Sequence, residues 1–211
     1  ATKQGQIFRI EAYLKNYDNL VKFDGNTPTF SSNYNNNGNG YAKGFDIFWR
    51  QNRKIKNTDY WVSYSYLDTE RDYRNYPTAA TPSFASKHNI SLVAKHWVES
   101  WKSQLGFTYN FASGRNYTNP NEVGFLNNKT KNYNSLSVNW AYLIDQQKIL
   151  YFSVNNVLGT QNVFGYNYKN TPEPNGNFNR QAIIPNADRF FFIGFFWTIS
   201  NNKNTNQLDN L

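Results

Sequence analysis

The sequence predicts an all-β fold, an antiparallel transmembrane β-barrel with about eight strands, and three observations carry that prediction. Apolar and polar residues alternate with a period of 2 along most of the 211 residues, which is the strand period and not the helical one. Aromatic residues make up 18% of the chain, yet the mean hydropathy is −0.77, a combination that alternation explains because every second residue is polar. The connections between the alternating segments run long, short, long, short, as in barrels with short turns on one side of a membrane and long loops on the other.

The segments follow in chain order. Phe8, Ile10, Ala12 and Leu14 share one parity, with Arg9, Glu11 and Lys15 on the other. Phe45, Ile47 and Trp49 oppose Asp46 and Arg50. Tyr60, Val62, Tyr64 and Tyr66 oppose Ser63 and Ser65. Ile90, Leu92 and Ala94 oppose Asn89, Ser91 and Lys95. Leu105, Phe107, Tyr109 and Phe111 oppose Gln104, Gly106, Thr108 and Asn110. Leu136, Val138, Trp140 and Tyr142 oppose Ser135, Ser137 and Asn139; Leu150, Phe152 and Val154 oppose Ser153 and Asn155. The last segment, 189–200, is apolar on both faces for part of its length, with Phe191, Ile193, Phe195 and Trp197 as its cleaner stripe. Several segments approach the roughly 9–11 residues a tilted strand needs to cross a bilayer.

Long connections are expected at 24–40, 69–86, 113–132 and 160–187, and short ones at 52–57, 99–101 and 144–148. The run Asn35-Asn36-Asn37-Gly38-Asn39-Gly40 is expected to be a turn, because Asn and Gly tolerate positive φ. Residues 1–200 are expected to form one barrel segment and 201–211 a polar tail. An even strand count places both termini on the side of the short turns, the periplasm.

Alternation alone also fits a soluble sandwich, in which one face of each strand is wetted. Two features favour a membrane. Rings crowd the apolar faces, as in the aromatic girdles of outer-membrane barrels. Small hydroxyls (Ser63, Ser65, Ser91, Ser135, Ser137, Ser153) line the opposite faces. A closed eight-stranded barrel is just wide enough for side chains to fill, and a row of serines would leave it underfilled, so the strands fit a wider barrel.

Chemistry on the chain is sparse. It has no Cys, so neither disulfides nor thiolates, and no Met, which marks it as processed or a fragment. The net charge of +8 is spread along the chain, so no nucleic-acid partner is expected. The only histidines are His88 and His96, and His96 shares the apolar parity of its strand near a short turn. Neither metal-ligand spacing nor a Gly-rich phosphate loop is present, so no catalytic, metal or cofactor site is expected.

Several motifs stand in an order that resembles the C-terminal barrel of TonB-dependent outer-membrane transporters, particularly receptors of the Bacteroidetes type. They are Gly44-Phe45-Asp46-Ile47, Val62-Ser63-Tyr64-Ser65-Tyr66, Lys87-His88-Asn89-Ile90 and Phe111-Ala112-Ser113-Gly114-Arg115. The two most specific come late. Ser153-Val154-Asn155-Asn156-Val157-Leu158-Gly159 is similar to the end of the family's penultimate strand, with Gly159 where a second Asn is usual. Pro185-Asn186-Ala187-Asp188-Arg189 is similar to the start of its last strand, with Asp188 in place of Pro.

The resemblance implies the C-terminal part of a barrel of about 22 strands. It implies nutrient uptake, of a siderophore, a saccharide or similar, in the outer membrane of a Gram-negative cell. The partners it implies are outer-membrane lipid, the plug and remaining strands absent here, the TonB complex acting through the plug, and a surface lipoprotein. Ligand-contacting residues are then expected on the long loops: Tyr73, Arg74 and Tyr76; Arg115, Asn116 and Tyr117; Phe164, Tyr166 and Tyr168; and Arg180. Their rings could stack on a ligand and their guanidinium groups grip anions, or the rings could pack loop against loop. Arg9, Glu11, Asp46 and Lys95 are expected to face the lumen. Rival readings are a non-transporting barrel (porin-like, adhesive or structural) and a soluble β-sandwich lectin.

Overall fold

A computed structural model describes residues 2–200 and 208, so the expected polar tail, Leu208 apart, lies outside the described residues. The strands are β1 (Thr2–Lys3), β2 (Gln6–Phe23), β3 (Tyr34–Gln51), β4 (Thr58–Asp72), β5 (His88–Val98), β6 (Ser103–Ala112), β7 (Asn116–Tyr117), β8 (Asn128–Lys129), β9 (Tyr133–Asp145), β10 (Lys148–Asn155), β11 (Gly165–Tyr168), β12 (Arg180–Ile183) and β13 (Phe190–Trp197). One antiparallel sheet, in the order β1-β2-β3-β4-β5-β6-β9-β10-β13, holds eight long strands and the short β1. The pairs β7-β8 and β11-β12 form two small hairpins inside the long loops. Among the described residues there is no second large sheet, so the stripes are not buried between stacked sheets as a sandwich requires.

Directly opposed residues in an antiparallel pair point to the same face. The register can therefore be followed from strand to strand. Ile10 pairs with Ile47, Ile47 with Tyr64, Tyr64 with Ile90 and Ile90 with Phe111. Phe107 pairs with Val138, Val138 with Val154 and Val154 with Phe191. The apolar stripe expected on each of the eight strands thus falls on one continuous face. On the reverse face Ser63 pairs with Ser91, Ser91 with Asn110, Asn110 with Ser135, and Asn139 with Ser153.

The apolar face is uncovered: Ile10 is 59% exposed and Ile193 is 71% exposed, and the fully buried apolar residues are few and mostly small. A water-facing apolar patch spanning eight strands would far exceed what a soluble monomer tolerates.

The sheet does not close on itself among the described residues. β13 pairs only with β10, and β2 pairs with β3 and the short β1. The two edges also differ in length. β2 has 18 residues and β13 has 8, about 60 and 27 Å of strand respectively. Were β13 to pair with β2 directly, ten of those eighteen residues would lack a partner.

One expectation is corrected. The Asn35–Gly40 run is strand, not turn, and the loop it was assigned to shrinks to 24–33. Its glycines serve close approach: a Cβ on Gly38 or Gly40 would sit 2.6 Å from the carbonyl oxygen of Leu20 or Glu70. β4 likewise runs on to Asp72. The short turns fall at 52–57, 99–102 and 146–147, the second holding a 3-10 turn at Glu99–Trp101 and the third tighter than expected. No helix of the described residues is long and apolar enough to cross a membrane, a statement that does not bear on strands.

Candidate ligand-binding loops and inner wall

The long loops gather at one end of the sheet. Side chains, rather than ladders, hold them. At the base of the last loop Asn156, only 7% exposed, adopts φ 51° and donates from Nδ2 to the carbonyls of Thr160 and Asp188, at 2.8 and 2.7 Å. Its Oδ1 accepts from Thr160 N at 3.2 Å. Asn162, 4% exposed, copies a strand pairing with its amide: Asn134 N donates to its Oδ1 at 2.9 Å, and its Nδ2 donates to Asn134 O at 2.8 Å. Arg189 Nε donates to Val157 O at 3.0 Å, and its guanidinium lies over Gly159 (φ 65°), where a Cβ would meet it at 2.6 Å. The absence of a side chain at that position leaves room for the arginine.

Most of the loop residues expected from the sequence meet in one cluster. Tyr117 of β7 packs on Tyr166 of β11 with ring centres 4.8 Å apart. Arg180 of β12 lies 4.5 Å above the Tyr166 ring and donates from Nη1 to the Tyr117 hydroxyl at 3.4 Å. That hydrogen bond, more than any other influence, holds the Arg180 pKa above its usual value. Arg115 Nη2 donates to Phe164 O at 3.1 Å, and Phe164 stacks on Tyr133. Tyr168 stands opposite Arg180 in the β11-β12 hairpin. Its hydroxyl is buried without a well-placed acceptor, and burial, with the Tyr117 hydroxyl beside it, pushes its pKa up. A recess of about 370 Å³ opens beside Tyr168, Asn179, Arg180 and Gln181. Asn121 stitches the two loops together, donating to Phe178 O at 2.9 Å and accepting from Phe178 N at 2.7 Å.

Tyr73 and Tyr76 form a second cluster. Their rings are 4.9 Å apart, and Tyr76 meets Phe125 edge-on at 4.7 Å, joining the β4-β5 loop to the β6-β9 loop. Burial first, and Tyr73 second, push the Tyr76 pKa up to about 12. Asn116 reaches the Thr81 carbonyl of the same loop at 3.5 Å. Arg74 acts through its backbone: at φ 57° its N–H donates to Val21 O and its carbonyl accepts from Phe23 N. Arg71 stands outside the expected set, and its guanidinium lies among the rings of Tyr17 (4.5 Å), Phe84 (5.3 Å) and Tyr73 (5.7 Å). Only its place between Glu70 and Asp72 could have drawn attention to it. The rings of both clusters are thus largely each other's partners, and the Arg180 guanidinium with the amide side chains around the 370 Å³ recess is what remains for a ligand.

Arg9, Glu11, Asp46 and Lys95 all fall on the serine-bearing face. Arg9 Nε lies 3.4 Å from Glu11 Oε1, and Asp46 stands opposite Glu11 beside a recess of about 240 Å³ floored by Ser63 and Ser65. Nearer the short turns Arg50 grips Asp59 with both Nε and Nη2, Lys95 stands opposite Asp59, and a recess of about 670 Å³ opens among Phe48, Trp61 and Trp97. These rings, with Tyr151, Phe192 and Phe196 on β10 and β13, make that face less uniformly small and polar than its serines suggest. The two histidines are paired locally, His88 Nδ1 with Tyr64 OH at 2.9 Å and His96 Nδ1 with Thr58 Oγ1 at 2.8 Å. Among the described residues no three His, Cys, Asp or Glu side chains converge as metal ligands would.

No family model matches the chain, and no curated protein sequence does. Solved structures do match its fold. The ferric-catecholate import receptor Fiu of E. coli K12, in a closed form, superposes with a TM-score of 0.61 at 11% identity, covering 90% of this chain and 25% of that one. The outer membrane transporter YddB of Escherichia coli superposes with a TM-score of 0.62 at 11% identity, covering 93% of this chain and 31% of that one. The chain therefore spans about a quarter to a third of the length of these transporters. At such identity the likeness is one of fold: an antiparallel wall segment like that of an outer-membrane transporter barrel.

Proposed function

We propose that the chain is the C-terminal part of the wall of a wide outer-membrane barrel that imports a siderophore, a saccharide or a similar nutrient, driven by TonB through a plug. The observation that carries this reading is the register. It gathers every apolar stripe on one uncovered face and the small hydroxyls on the other, in a sheet whose unequal edges call for further strands. The fold likeness to two transporters supports it, as do the motifs similar to Bacteroidetes-type receptors. On this reading the long loops are extracellular and both termini periplasmic. A plug and a surface lipoprotein are the partners, and transport, not catalysis, is the activity. Ligand would meet Arg180, Asn179 and Gln181 in the loop recess, with Arg115 and Tyr117 in the cluster beside it, while Arg9, Glu11, Asp46 and Lys95 would face the plug.

The chain has no Cys, so single thiols report each face without background. In vesicles, Ser137→Cys should react with a membrane-impermeant maleimide and Val138→Cys should not. Equal reactivity would refute the membrane wall. Retention of TonB's periplasmic domain by the full-length protein tests the drive, and failure to retain it would leave the non-transporting barrel in its place.

A further inference from the structure

The membrane face is not evenly filled. On β5, Ala94 stands between Tyr60 of β4 and Phe107 of β6, the residues opposite it in the register. A methyl between two rings leaves a dent. The dent is a groove of about 390 Å³ running past Val62 and Leu136 and ending at Ile55, in the short turn between β3 and β4. A second groove of about 390 Å³, among Trp101, Leu105 and Trp140, adjoins it on the same face at the same end.

The turn that closes the first groove reads Asn52-Arg53-Lys54-Ile55-Lys56-Asn57, three cations and no acid. Ile55 is 52% exposed and lines the groove, so Lys54 and Lys56 flank the groove mouth within one residue. None of the three cations is in an ion pair among the described residues. The aliphatic part of Arg53 packs over Gly5, while Lys54 and Lys56 are the two cations adjacent in sequence to the groove-lining Ile55. Thr58 adds a polar rim, its Oγ1 meeting His96 Nδ1 at 2.8 Å and the Lys56 carbonyl at 3.1 Å.

We propose that this end of the membrane face holds one anionic glycerophospholipid of the periplasmic leaflet, with an acyl chain in the Ala94 groove and its phosphate on Lys54 and Lys56. The inference rests on the membrane-wall reading above. An apolar groove on a lipid-facing surface takes an acyl chain by close packing, because the chain is already out of water and burial adds nothing. A zwitterionic headgroup would leave the two lysines without net counter-charge, whereas cations at a membrane surface attract anionic lipid.

The test is native mass spectrometry of the full-length protein in non-ionic detergent, titrated with dioleoyl phosphatidylglycerol or dioleoyl phosphatidylcholine. One phosphatidylglycerol retained per chain, about tenfold more tightly than phosphatidylcholine, is expected. Lys54→Gln with Lys56→Gln, both on an exposed turn, should erase the preference while leaving the protein in vesicles. Ala94→Trp, which fills the groove, should release the retained lipid of either kind. Equal retention of both lipids by the unaltered protein, or a preference that survives the double lysine change, overturns the site but not the wall. A protein that binds neither lipid and is monodisperse without detergent overturns the wall itself.

Discussion

The wall and the loops are stabilised by different partners. From β2 to β13 long backbone ladders join each wall strand to the next, interrupted only at bulges in β2 and at Lys148, but most large apolar side chains face outward and few residues are buried by protein. In the loops the reverse holds: ladders are short, while buried amides such as Asn119, Asn156 and Asn162, and interlocked rings, tie each segment to the next. The wall's stability is completed by its surroundings; the loops carry theirs internally. Substitutions in the wall should therefore depend on which face they touch and on the medium, and substitutions in the loops on neither.

The largest effect expected is a charge on the apolar face. Val138→Arg, near the middle of β9, should cost about 2–4 kcal/mol in a bilayer, against no more than about 0.5 kcal/mol for Ser137→Arg next to it on the opposite face. Urea unfolding from lipid vesicles measures both. Equal costs would erase the distinction between the faces. Asn156→Ala comes next. It removes the three hydrogen bonds made by a buried amide and places alanine at φ 51°, so about 2 kcal/mol should be lost. That loss should be the same in vesicles and in detergent micelles. A cost that changed with the medium would break the comparison.

The wall was legible in the sequence because a two-residue period needs only neighbours to be seen, and pleating turns it directly into faces. Each of the eight stripes, from Phe8 to Trp197, falls where alternation put it. The Asn35–Gly40 stretch was not legible, because local turn propensity and tight strand packing both select Gly, and only the approach of Leu20 and Glu70 decides between them. The motif around Asn156 was visible as a pattern, but its work of tying Thr160 to Asp188 spans 28 residues of loop that no local rule connects. In the loops the sequence named Tyr117, Tyr166 and Arg180 as candidates without showing that they satisfy one another. Arg71 escaped notice because its partners Tyr17 and Phe84 are distant in the chain.

A smaller effect should come from Arg180→Ala. The loss of its contact with Tyr166 and its long bond to Tyr117 should loosen the hairpin, read as faster amide exchange in β11 and β12. Exchange in β9, on the wall, should not change. Faster exchange in both would mean that the loops and the wall unfold as one unit.

The smallest effect is a pH response confined to the loops. Tyr76 holds its proton up to about pH 12 in the folded chain, because burial disfavours the phenolate, whereas a solvated tyrosine gives it up near pH 10. Between those values the folded state binds more protons than the unfolded one, so stability falls as pH rises through the window and is fully present below it. Because Tyr76 joins the β4-β5 loop to Phe125 of the β6-β9 loop, the loss should appear as faster amide exchange in both loops from pH 10 to 12, with β9 unaffected. Tyr76→Phe keeps the ring contact and removes the proton, so this pH-dependent step should vanish while the loops stay docked at pH 7. Of the chain's sixteen tyrosines, one fewer should then titrate late in the ultraviolet absorbance. If the variant's exchange rates follow the same pH curve as the unaltered protein's, the junction between the two loops is not held by a buried, protonated Tyr76.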